Sequence, residues 1–217
     1  MKTRSKALLL TLCAVLLVAA SVLGTMAYLT STDTVENTFS VGAVAITLDE
    51  KDVDKDSNTE DNVTVDGVIR DKANSYKLLP GHQYDKDPIV HVDSNSEDCY
   101  LFVIVKNEIA DIESDATGDK TVAVQMTNDY GWSKVGETED GALYVYGTVE
   151  APGVVKAGED KTVFTTFKID GDVTNTTLAG YKDKTIVVTA YAVQKDGFEG
   201  KAASEIWTTA FNDPALN

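Results

Sequence analysis

Few side chains in this chain are suited to chemistry: two histidines, two cysteines and one acidic run. His82 and His91 lie on separate short segments, and no H-E-x-x-H pattern sets two imidazoles on one helix face beside a carboxylate base. His91 alternates with Ile89 and Asp93, as a strand histidine does. Cys99 opens a hydrophobic run, the setting of a core thiol more than of a nucleophile. Asp52, Asp54, Asp56 and Asn58 alternate like the first half of a calcium loop. Ser57, however, stands where that turn needs glycine, and Val63 where a bidentate glutamate belongs. No G-x-S-x-G elbow and no phosphate-binding glycine loop occurs. These residues argue for no catalytic, cofactor-binding or metal residue, with calcium at the acidic run kept as a secondary expectation.

The segment ahead of these residues decides where they work. Lys2, Arg4 and Lys6 form a basic start, an apolar run follows from Ala7 to Leu23, and Gly24-Thr25-Met26-Ala27 closes it. Small residues at Thr25 and Ala27 suit the −3 and −1 pockets of a signal peptidase, so 1–27 reads as a signal peptide cut before Tyr28. Cys13 lies mid-run behind Leu12, where a lipobox would need a small residue. Before cleavage this segment is the chain's contact with a membrane; after it, a secreted protein is expected. Removing it takes away three cations and moves the formal charge from −16 to −19. Such a surface repels nucleic acid and anionic headgroups. Cys99 is then the sole cysteine, so no internal disulfide can form and a packed core must stabilise residues 28–217.

Short runs rich in Val, Ile, Thr, Tyr and Phe, punctuated by Gly, Asp and Asn, predict an all-β domain. Phe39–Leu48 reads as a strand with a bulge at Gly42 that sets Val44, Ile46 and Leu48 on one face. Ile89–Asp93 is a short strand, and Cys99–Lys106, apolar on both faces, a central strand covered on both sides. Val122–Met126, Ala142–Val149, Thr162–Ile169 and Thr185–Gln194 complete the set. Together they predict a two-sheet sandwich of jelly-roll type. Asp49–Asp61, with seven acids in thirteen residues, reads as solvated and opens an acidic loop insertion over 49–75. Ala203, Ile206, Trp207, Ala210 and Phe211 recur at helical spacing, so 201–211 predicts a C-terminal helix capping an open end of the sandwich.

Three segments together resemble the TasA and camelysin family of Gram-positive exported proteins, which are processed by a dedicated signal peptidase, SipW. The first is Gly24-Thr25-Met26-Ala27-Tyr28-Leu29-Thr30 followed by Asn37-Thr38-Phe39-Ser40-Val41-Gly42, similar to the family's G-T-x-A site and N-T-F-x-x-G strand. The second is Leu79-Pro80-Gly81 leading into Ile89–Val92 and Asn95–Val105; the third is Ile186–Phe198 with the Trp207 helix. They cover less than half of the chain. The resemblance implies a jelly-roll subunit that self-associates into fibres of a biofilm matrix. In such fibres the mature N-terminal segment adds as a strand to the next subunit; here the donor would be 28–37, with Tyr28, Leu29 and Val35 as its apolar contributions. Two alternatives stand beside it. One is a camelysin-like zinc metallopeptidase at the cell surface, for which the two histidines give no recognisable triad. The other is an adhesin-like binding module, for which the unmatched segments 49–75 and 109–161 leave room.

Overall fold

The structure is a computed structural model and describes Lys6 and residues 11–18, 42–54, 63–65 and 67–212. The chain divides into two compact units, Met1–Val41 and Gly42–Asn217. In the first, residues 11–18 are helical (α1), and Leu12, Val15, Leu16, Leu17 and Val18 are all exposed. Among the described residues no helix is long and apolar enough to cross a membrane. The signal-cleavage residues Thr25, Ala27 and Tyr28, and Leu29 and Val35 of the expected donor, lie outside the described residues.

The second unit is mostly β, built of antiparallel sheets with a few short helices. One sheet runs in the order β10 (Asp160–Thr162), β5 (Ile89–Val92), β1 (Ile46–Lys51), β3 (Val68–Asp71), β2 (Val63–Val65). The other runs β12 (Ile186–Gln194), β6 (Cys99–Asn107), β8 (Gly141–Tyr146), β7 (Trp132–Thr138), with β9 (Val154–Val155) paired to the start of β6. A separate two-stranded ribbon pairs β4 (Gln83–Asp85) with β11 (Thr166–Lys168).

Strand β6 explains the architecture. Its odd residues Cys99, Leu101, Val103 and Val105 enter the main core with Val90, Val92, Phe164 and Ile169. Its even residues Tyr100, Phe102 and Ile104 face a second cluster with Ile206 and Trp207 of the C-terminal helix (Ala203–Phe211). The strand is therefore covered on both sides, as its unbroken apolar run predicts. This also corrects the place of the C-terminal helix. It lies on the outer face of the second sheet and not over an open end: the Trp207 ring packs 5.5 Å from Phe102 and 5.1 Å from Tyr191.

Other expectations change at identifiable residues. Val122–Met126 is not a strand but the body of helix α2 (Val122–Asn128). Thr121 caps it by accepting from Val124 N, and Glu113 accepts from Val122 N at 2.9 Å. The buried residues Val122, Gln125 and Met126 follow helical spacing, which outweighs the period-two spacing of Val122, Val124 and Met126. Thr162–Ile169 is broken between the sheets, because consecutive Val163 and Phe164 are both buried. The Gln125 side chain takes the place of a ladder there, accepting from Thr165 N and Thr166 N and donating to Thr166 O. Residues 42–45 are not strand, so β1 starts at Ile46 and no bulge forms at Gly42. Ala43 O and Ala45 O still accept from Glu97 N and Asp93 N. At the far end, Asp49, Glu50 and Lys51 belong to β1, and β2 and β3 fall within 49–75, so that stretch is not one solvated loop.

Candidate functional site

Strand β12 presents the longest edge of the second sheet. Its register on β6 is continuous from Ile186↔Asn107 to Gln194↔Cys99. Just beyond its ends, Glu108 N donates to Thr185 O and Lys195 N donates to Asp98 O. Antiparallel pairs alternate between bonded and non-bonded, so Val187, Thr189, Tyr191 and Val193 spend their main-chain groups on β6. The N–H and C=O groups of Ile186, Val188, Ala190 and Ala192 point the other way. Among the described residues no strand pairs with that side.

The composition of this edge is unusual for one facing solvent. Exposed edges are ordinarily blunted by charge, proline, bulges or shortness. Ile186–Gln194 carries no charge, no proline and no glycine over nine residues. The other edges differ: β10 and β2 have three residues each, and β7 carries Lys134, Glu137 and a register break between Lys134 and Gly136. Among the described edge strands, β12 alone is both long and uncharged.

The first sheet carries a charge cluster on its outward face. Arg70 is buried and donates through Nε to Asp49, through Nη1 to Asp87 Oδ2 at 3.2 Å, and through Nη2 to the carbonyls of Asp49 and Asp87. Burial alone would lower the Arg70 pKa; the Asp49 hydrogen bond and the Asp87 charge outweigh it and hold the guanidinium above its ordinary value. His91 stands beside this cluster, with Nδ1 2.7 Å from Asp160 Oδ1 and Nε2 3.2 Å from Asp49 Oδ1. Both imidazole nitrogens are thus occupied by carboxylates, and the cluster ties β3, β1, β5 and β10 together. On the opposite, inward face, a cavity of about 810 Å³ opens between β1, the 71–78 segment and the start of β12.

The chemistry-bearing residues singled out by sequence are not brought together. His82 closes the Leu79-Pro80-Gly81 turn, donating from its N–H to Leu79 O, and its ring lies 6.2 Å from Tyr84. Cys99 is fully buried, and burial pushes its thiol up to about 11, so it sits in the core as a thiol. Asp54 accepts from Ser75 N, whereas Asp56 and Asn58 lie outside the described residues. Among the described residues no group of three or more His, Cys, Asp or Glu is placed to hold a metal. What sequence reasoning missed is the inward carboxylate of Glu50, grouped by composition with its acidic neighbours. Its parity with Ile46 and Leu48 was the signal that could have found it. Comparison with known proteins found no matching family model, no matching curated protein and no matching solved structure.

Proposed function

We propose that this chain is a secreted, non-catalytic structural subunit that assembles into an extracellular fibre or matrix by strand addition. The observation that carries the reading is the β12 edge: nine residues without a charge, proline or glycine, with outward main-chain groups at Ile186, Val188, Ala190 and Ala192. Such an edge is a template on which an extended segment docks through main-chain hydrogen bonds. The occupant is residues 28–37 of a second copy, whose Tyr28, Leu29 and Val35 supply apolar side chains. In this reading 1–27 is a signal peptide and cleavage after Ala27 frees the donor. The sheets form a jelly-roll sandwich, and the resemblance to the TasA and camelysin family through the N-T-F-x-x-G segment supports a SipW-type peptidase as the processing partner.

The test is removal of the donor. Chain beginning at Tyr28 should form filaments visible by negative-stain electron microscopy. Chain lacking 28–36 should remain dispersed at the same concentration and keep its β-sheet circular dichroism. Filaments of unchanged number and width from the shortened chain would remove this segment from the mechanism.

A further inference from the structure

The inward face of β1 and β3 holds an arrangement that strand addition does not use. Ile46 and Leu48 face the core, and Glu50 occupies the next position on that face, buried. Asp71 stands directly opposite it across the β1–β3 pair. Their exposures are 5% and 2%. Facing residues of an antiparallel pair set their Cβ atoms roughly 4.5–5.5 Å apart, where like charges repel. Glu50 is well partnered: Oε2 accepts from Lys86 Nζ at 2.5 Å and Oε1 from Asn74 Nδ2 at 3.0 Å.

Asp71 is not. Its Oδ1 accepts from the N–H of its own neighbour Lys72, and its Oδ2 has no hydrogen-bond partner among the described residues. Arg70, the adjacent cation, is turned to the other face and held there by Asp49 and Asp87. A carboxylate buried without a cation is costly, and such groups are ordinarily paired or hydrogen-bonded. Both Glu50 and Asp71 line the 810 Å³ cavity, whose walls also include Tyr76, Leu78, Phe167 and Val188. The negative field there is felt by Tyr76: burial raises its phenol pKa, and the Glu50 charge raises it further. Lys72, Lys182 and Lys184 also border the cavity but are exposed to solvent, where their charge is screened.

The geometry points to this cavity as a binding site for an organic ammonium, a primary amine on an apolar stem. Its NH₃⁺ donates to Asp71 Oδ2 beside Glu50, and its stem lies against Tyr76 and Phe167. Lys86 already neutralises Glu50, so one further positive charge balances the pair. An ammonium on an apolar stem answers both halves of the lining: charge-assisted hydrogen bonds at the carboxylates, and area burial or cation–π contact at the aromatic wall. The inference does not rest on fibre assembly, although Ile186 and Val188 of the β12 edge also line the cavity.

Hexan-1-ammonium is the probe, hexan-1-ol its neutral counterpart, and the full chain the protein, followed by calorimetric titration and thermal unfolding at pH 7. Saturable binding of the amine with a raised Tm is expected, with no saturation by the alcohol over the same range. Asp71→Asn should weaken the amine at least tenfold, about 1.4 kcal/mol. Because asparagine keeps an acceptor for Lys72 N and Asp71 pairs with no cation among the described residues, the unliganded variant should melt no lower than wild type, which separates lost binding from lost fold. Equal affinity for the variant, equal affinity for the alcohol, or no saturable binding to wild type would each overturn the assignment. So would calcium saturation that is lost in the variant while the amine fails to bind.

Discussion

Replacing Arg70 by methionine tests the claim that one buried cation locks the first sheet. The side chain is 7% exposed and makes four hydrogen bonds: to Asp49 and Asp87 carboxylates and to both of their carbonyls. Methionine keeps the volume and deletes the charge, so Asp49 and Asp87 lose their shared counterion. Breaking a buried pair from one side costs about 3–5 kcal/mol. Asp87 is 27% exposed and solvent can relieve part of its loss, which puts Arg70→Met near the lower end, about 3 kcal/mol. With a urea slope of about 2 kcal/mol/M, the unfolding midpoint should fall by about 1.5 M. Most of that cost is an unpaired carboxylate, so adding Asp49→Asn to Arg70→Met should recover a substantial part. A midpoint shift under about 0.5 M, or a double variant less stable than the single one, would refute the reasoning.

Two further outcomes follow from the buried titratable groups. Burial raises the Glu113 carboxyl above its ordinary value of 4.5, against hydrogen bonds from Asn107 and from Val122 N. A carboxyl with a raised folded-state pKa contributes most stability below 4.5 and loses that contribution as pH rises through the folded value. The stability of wild type minus that of Glu113→Gln, measured by urea unfolding, should therefore fall steadily from pH 4 upward; a value that rises would contradict the burial argument. For Cys99, whose thiol is pushed up to about 11, iodoacetamide at pH 8 should label the residue no faster than the chain globally unfolds, read by peptide mapping to separate it from the exposed Cys13.

What the sequence made legible is the part of the fold carried by periodicity. The two-sided apolar run Cys99–Lys106, the alternation of Leu143 and Val145 against Tyr144 and Tyr146, and the helical spacing from Ala203 to Phe211 all recur in the structure. Where reading failed, a tertiary partner overrode a local pattern. Gln125 turned a period-two stretch into helix α2 by bridging to Thr165 and Thr166, residues forty and forty-one positions away. Strand β7 escaped notice because the register break between Lys134 and Gly136 interrupts its alternation. The charge cluster was illegible for a related reason: Asp49, Arg70, Asp87, His91 and Asp160 are distant in sequence and meet only through strand pairing. Asp71 could be named from composition, but its burial opposite Glu50 depends on the β1–β3 register.

The central claim is that the β12 edge receives a strand, and Ala190→Pro tests it most directly. The Ala190 N–H points away from β6, so proline there removes no bond of the β6–β12 ladder and blocks one that an incoming strand would make. Chain beginning at Tyr28 and carrying this change should keep its β-sheet circular dichroism and stay dispersed under negative-stain electron microscopy, while the unchanged sequence forms filaments. Filaments from Ala190→Pro, equal in number and width to those of the unchanged chain, would contradict the account.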